Sequence, residues 1–310
     1  MPSNPKSVAV LLLAHGSPDK AEEMPEYLRL VTGGRGLPQP VIDEITHRYT
    51  LVGFSPLTCW TMKQADQLSS SLHMPVYVGM RNWKPFIPDV VRTMAADGIR
   101  HAVAICLAPQ NSRTSVGLYR RAVEGATGTP FTVDCVESWH DHPLLIKAFA
   151  EKLKNGWDGA CAEAGTPVPI IFTAHSVPQR TITDGDLYQS QAHETAELVA
   201  SEAGLASGAW NFAFQSQGMS GGPWIGPTVE ETILAFKQAG HRGVFIQPIG
   251  FLCDHVEVLY DIDIAFKEFA QKNAMRLWRA ESLNSSSTLT AALADIALFR
   301  LKTAAIESKA

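Results

Sequence analysis

The chain has 310 residues, 45% hydrophobic and 18% charged, with 31 acidic against 26 basic side chains and a formal net charge of −5. That composition is ordinary for a globular protein with a full core and excludes a disordered or fibrous chain. With no Lys/Arg run longer than a dipeptide, a nucleic-acid footprint is excluded too, and no stretch approaches the ~20 apolar residues of a membrane span.

The first residues, MPSNPKS, carry no basic region, and the apolar run that follows (8–14) is too short for a secretory core, so no presequence is expected. Apolar and β-branched runs predict strands at 8–14, 76–79, 102–107, 131–134, 170–173, 210–214, 244–247 and 275–278. Between them, helical periodicity predicts helices at 88–96, 115–124, 144–153, 192–201, 229–238 and 256–270. Strand and helix in alternation imply βαβ units, parallel sheets and helices on both sheet faces. The five cysteines, at 59, 106, 135, 161 and 253, form no C-x-x-C pair and fit a reducing cytoplasm.

Two segments repeat. VAVLLLAHGSP (8–18) and IIFTAHSVP (170–178) are both a buried-strand pattern running into Ala-His, a small residue and a nearby proline. GIRHAVAICLAP (98–109) and GHRGVFIQPIGF (240–251) are both a helix-ending glycine, an arginine two residues on, and a strand. Two related α/β halves, 1–160 and 161–310, are therefore expected, meeting at the Gly/Ala/Pro-rich NGWDGACAEAGTPVP (155–169). A cleft between them is expected to receive both histidines.

Open α/β sheets place ligand chemistry just beyond the carboxyl ends of their strands, where His175 stands. A neutral imidazole there can take a proton or bind a metal near neutral pH. Taken alone, a strand-end histidine reads as readily as a structural ring bonded to a backbone carbonyl. GFLCDHVEVLYDIDI (250–264) adds Asp254, Glu257 and Asp261 at i, i+3 and i+7, which on one helix form a single carboxylate face. A solvated acidic face is the usual meaning of that spacing, but this segment follows a buried run. GMSGG (218–222) matches a nucleophile elbow, yet the expected later acid and histidine are adjacent at 254–255 and Pro223 interrupts the helix start, so a hydrolase is set aside. Neither dinucleotide nor ATP glycine signatures occur.

TAHSVP, QSQG with WIGP, and GFLCDHVEVLYDID, in this order, resemble the signature regions of the ferrochelatase family, the ATP-independent (class II) chelatases that insert ferrous iron into a porphyrin. The resemblance extends through LLLAHGSP, RYTLVGFSPL, YVGMRNWKPFI, LAPQNSRTSVGLYRRA and VESWHDHP, covering most of the chain. It implies two Rossmann-like halves, His175 as catalytic base and Glu257 as its partner carboxylate, both handling the metal. It further implies porphyrin contacts from Arg48, Tyr49, Ser55 and Tyr119, and from His15, which stands where short relatives usually have tyrosine. Two more positions depart from those relatives: Thr32 replaces an arginine, and Ala265 interrupts a carboxylate row. No cysteine follows Cys253, so no carboxyl-terminal iron–sulfur cluster is expected and iron is substrate, not cofactor. The resemblance points to a cytoplasmic monomer of haem biosynthesis that prefers coproporphyrin III to protoporphyrin IX. The rivals are a sirohydrochlorin-type cobalt or iron chelatase of the same fold, and a non-catalytic cytoplasmic tetrapyrrole or iron carrier.

Overall fold

A computed structural model of the chain describes residues 7–126, 131–218 and 222–307. The chain divides into two compact units: Met1–Pro109 with Arg113–Trp139 and Asn284–Ala310, and Gln110–Ser112 with His140–Leu283. The strands of the first are β1 (Val8–Ala14), β2 (Val76–Met80), β3 (His101–Cys106) and β4 (Thr132–Val136). Its helices are α1 (Met24–Val31), α2 (Gln39–Leu51), α3 (Leu57–Leu72), α4 (Ile87–Ala96) and α5 (Val116–Gly125). The second unit holds α6 (Pro143–Ala164), β5 (Ile170–His175), α7 (Gln179–Thr183), α8 (Tyr188–Glu202), β6 (Trp210–Gln215), α9 (Val229–Gln238), β7 (Gly243–Pro248), α10 (Val256–Leu259), a π-helical segment Asp261–Phe266, α11 (Lys267–Lys272) and β8 (Arg276–Arg279). The last helix, α12 (Ser287–Glu307), belongs to the first unit.

Each unit carries one four-stranded parallel sheet, in the orders β2-β1-β3-β4 and β6-β5-β7-β8. The two orders are the same once the second is renumbered, so the repeat in sequence is a repeat of topology. In both, the chain steps from the first strand to one neighbour and then crosses to the other side, which makes the carboxyl ends of β1 and β5 the switch points where such sheets bind ligands. These ends carry His15 and His175.

Burial explains the runs. Ala9 to Leu13 are at most 1% exposed because helices cover both faces of β1. Ala9, Leu11 and Leu13 pack with α4 and α5 side chains such as Ile87, Met94 and Val123, while α3 and α12 lie against each other and α12 also meets β3. In the second unit Ile171, Ala213, Val244 and Ile246 pack with Ile233, Val258, Ile262 and Phe266. The helix-ending glycines expected at Gly98 and Gly240 have φ of 83° and 91°, and the residue after each donates to the carbonyl five back (Met94 or Phe236), closing α4 and α9 the same way.

The boundary differs from the expected 1–160 and 161–310. Residues 155–164 are the last part of α6, and Gly156 serves packing there: a Cβ on it would lie 2.9 Å from the Phe245 ring of β7. The division falls between Trp139 and His140 instead, and α12 returns to the first unit, where the Arg300 Nε donates to Asp134 of β4 at 2.7 Å. The expected helix 256–270 is also not continuous. The Ala265 N–H reaches the Tyr260 carbonyl five residues back at 2.9 Å, inserting a π-helical turn between α10 and α11. Of GMSGG, residues 219–221 lie outside the described residues.

Candidate active site

His175 is the last residue of β5. The Tyr188 hydroxyl donates to its carbonyl at 2.9 Å, and the Ser176 N–H donates to the Gln215 carbonyl at 2.7 Å, so the backbone on both sides of the ring is tied down. Trp224 and Phe251 approach the ring, each with a centroid separation of 6.5 Å. Nδ1 is hydrogen-bonded to the Ser176 carbonyl. A carbonyl can only accept, so Nδ1 keeps its proton and Nε2 is the nitrogen left to gain or lose one.

That Nε2 lies 3.4 Å from Glu257 Oε1, with 32% and 40% of the two side chains exposed. Burial pulls the His175 pKa down, but the Glu257 charge and hydrogen bond, the Ser176 carbonyl and Asp261 outweigh it and raise it to about 9. Glu257 is placed by its own backbone. Its N–H donates to His255 Nδ1 at 3.1 Å, capping α10, and its carbonyl accepts from Gln215 Nε2 at 2.9 Å. Burial pushes the His255 pKa down, which keeps that ring neutral and able to accept.

The loop can pass this close to β5 because residue 250 is glycine. A Cβ there would meet the Ala174 Cβ at 2.8 Å and Cα at 2.9 Å. Gly250→Ala is therefore expected to push the loop bearing Glu257 away from His175 and to cost roughly 1–3 kcal/mol of stability. Denaturant unfolding measures the loss, and unchanged unfolding would contradict the packing.

The three carboxylates do not form the single row that a continuous helix implied. Asp254 precedes α10 and accepts from Arg279 Nη1 at 3.2 Å and Ser282 Oγ at 2.8 Å, while Arg279 also grips Asp263 through Nε at 2.8 Å and Nη2 at 2.9 Å. Burial alone would lower the Arg279 pKa, and these two carboxylates raise it. Asp261 stays nearer the pair, hydrogen-bonded by the Ser216 hydroxyl. Arg279→Met should leave two carboxylates without their cation and destabilise the fold by about 3 kcal/mol, near the value for breaking a buried pair, as read by thermal unfolding.

In the first unit, the strand end gathers a second group. The Asn82 side-chain nitrogen lies 3.1 Å from His15 Nε2, Tyr27 stands edge-on to His15 at 6.4 Å, and Tyr49 and Trp83 stand edge-on to Tyr27 at 6.2 and 6.0 Å. Gly16 makes the turn: its φ is 85°, and a Cβ would meet Trp83 N at 2.8 Å. Tyr49 and Tyr119 are buried, as is Ser55, whose hydroxyl has no hydrogen-bond partner among the described residues. Arg48 pairs with Glu44 at 2.8 Å on an exposed stretch of α2. Thr32 closes α1, its hydroxyl donating to the Leu28 carbonyl at 2.8 Å.

The sequence reading passed over Tyr27, Asn82, Tyr188, Gln215, Trp224 and Phe251. Asn82 and Gln215 were within reach, since both lie at the carboxyl ends of predicted strands. Among the described residues, no group of three or more His, Cys, Asp or Glu is arranged to hold a metal ion.

The family model described as Ferrochelatase matches residues 7–301. A ferrochelatase of Acidobacterium capsulatum is 57% identical over 304 residues, covering 93% of each chain. A coproporphyrin III ferrochelatase of a Geobacillus species is 34% identical over 309 residues, covering 96% of this chain and 99% of its own. Among solved structures, the cobalt complex of the sirohydrochlorin chelatase SirB from Bacillus subtilis subspecies spizizenii is similar with a TM-score of 0.55 at 11% identity, covering 92% of each chain. That likeness is one of fold.

Proposed function

The chain belongs to the ferrochelatase family and is a porphyrin metal-insertion enzyme of haem synthesis, and from that premise we propose that His175 accepts porphyrin protons while Glu257 steers them and the metal. The observation that carries this reading is the pair itself: Nε2, the one titrating nitrogen, 3.4 Å from a carboxylate at the β5 strand end. Insertion replaces two pyrrole N–H protons by one Fe(II). A base must therefore work beside an anionic group that attracts the dication but holds it loosely.

In the pair without substrate, His175 carries a proton at neutral pH, since its pKa is raised to about 9. An arriving Fe(II) cancels the Glu257 charge that holds this proton. The proton leaves to solvent, and the freed Nε2 lone pair takes one from the pyrrole. A second transfer completes the balance of two protons out and one dication in. Asp261, whose charge also raises the His175 pKa, supports the same handling.

For the substrate, the reading favours coproporphyrin III over protoporphyrin IX, supported by the name of the Geobacillus relative. His15, Tyr49, Ser55 and Tyr119 would contact the porphyrin, with Arg48 reaching a propionate after leaving Glu44. Five unpaired thiols support a reducing cytoplasm. No helix among the described residues is long and apolar enough to cross a membrane. We further take the working form as a monomer, which sedimentation would check.

Metallation assays with Fe(II) and each porphyrin test the substrate. The expected result is a higher kcat/KM for coproporphyrin III, with the gap narrowing as salt screens its carboxylates. Higher kcat/KM for protoporphyrin IX at low salt would overturn the preference, and no metallation of either would overturn the roles given to the pair.

A further inference from the structure

Building on the reading of the chain as a porphyrin chelatase, we propose that Arg81, backed by Arg121, is an anchor for a carboxylate of the porphyrin's propionate side chains. Arg81 is the first residue beyond β2. Its N–H donates to the Ala14 carbonyl at 3.0 Å, and the N–H of Asn82 donates to the His15 carbonyl at 2.9 Å. These two bonds bring Arg81 out at the same sheet edge as His15, where open α/β sheets bind their ligands.

The guanidinium is half-buried there, and no ion pair or side-chain hydrogen bond holds it among the described residues. The groups acting on its charge are Tyr119 and Arg121, and neither supplies an anion at neutral pH. Burial is the main influence lowering its pKa; Tyr119 opposes it, and Arg121 adds a smaller share to the lowering. The second unit offers the contrast. Arg279, likewise withdrawn from solvent, is held by Asp254 and Asp263.

A partly desolvated guanidinium with no anion to hold it is unfavourable by itself and becomes favourable once an anion arrives. Among anions, a carboxylate suits best, because the planar fork of arginine meets its two oxygens with two parallel hydrogen bonds. Every propionate of a porphyrin offers such a group. Arg121, exposed on α5, adds charge without having to touch the ligand.

The test measures binding without turnover. Metal-free coproporphyrin III is titrated into the wild type, Arg81→Gln, Arg81→Lys and Arg121→Gln, and Kd is read from fluorescence quenching. Arg81→Gln should weaken binding about 10- to 100-fold, as loss of a charge-assisted pair does. KM should rise with it while kcat at saturation stays close to wild type. Arg81→Lys should recover part of the loss, because it restores the charge without the fork. Arg121→Gln should weaken binding less, and its exposed position makes it the variant to rely on if Arg81→Gln does not fold. The melting temperature of Arg81→Gln should hold or rise, since a partly desolvated charge with no anionic partner is removed. Unchanged Kd in Arg81→Gln, or a fall in melting temperature with no change in Kd, overturns the proposal. Wild-type protein that metallates porphyrin while every variant binds it normally sinks the anchor alone, whereas wild-type protein that neither binds nor metallates porphyrin sinks the functional reading beneath it.

Discussion

His175→Ala is expected to lower porphyrin metallation by roughly 10²–10⁴-fold, the usual range for a general base, and to leave porphyrin binding and the fold in place. The fold should survive because the backbone, not the ring, holds this strand end. Tyr188 bonds the residue-175 carbonyl, and the Ser176 N–H and hydroxyl are taken by the Gln215 and Ile225 carbonyls at 2.7 and 2.8 Å. With 32% of the side chain exposed, its removal opens a solvent-accessible notch, not a buried cavity. Added imidazole should enter that notch and restore part of the rate, a response that a structural histidine would not give. Metallation by the variant near the wild-type rate would end the assignment of His175 as the base. Loss of porphyrin affinity and melting temperature together would make it a structural ring, the reading a lone strand-end histidine always permits.

The elements that position His175 were legible because they follow from burial. Strands covered on both faces leave unbroken apolar runs, and each of the eight runs is a strand in the structure. The paired Ala-His ends were equally visible, since one topology used twice leaves its pattern twice. Where the reading failed, two of the deciding contacts lay far away in sequence and a third was a local departure from α-helical bonding. The stretch 155–164 looked like part of a linker, and it is the Phe245 ring against Gly156 that shows this end of α6 to be packed on the sheet. Asp254, Glu257 and Asp261 were spaced for one helix face, but local spacing could reveal neither the π-helical turn nor Arg279, which claims Asp254 from 25 residues away. Arg48 shows the reverse. Resemblance gave it a ligand, while i,i+4 spacing from Glu44 gave it the partner it has here.

Glu257→Gln should separate the two things the carboxylate does, raising the basicity of His175 and acting on metal and protons. The substitution keeps size and hydrogen bonding but removes the charge. Burial, which lowers the His175 pKa, is then opposed by the Ser176 carbonyl, Asp261 and a weaker, uncharged hydrogen bond to residue 257, so the value should fall from about 9 toward the ordinary 6.5. At pH 7 this leaves more of the ring neutral and partly masks the catalytic loss. At pH 9, where half the wild-type rings are already neutral, the masking nearly vanishes and kcat should drop by roughly 10²–10⁴-fold with little change in porphyrin Kd. Stability carries the same signature. A histidine whose folded pKa is raised stabilises the fold fully below its unfolded pKa of about 6.5, and that contribution is lost as pH rises through about 9. Wild-type melting temperature should therefore fall relative to the glutamine variant across this window, and NMR titration of His175 should show the lowered pKa directly. A His175 titration unmoved by the substitution would break the pairing seen at 3.4 Å, and an unchanged kcat at pH 9 would pass the carboxylate role to Asp261, since Asp254 is already committed to Arg279.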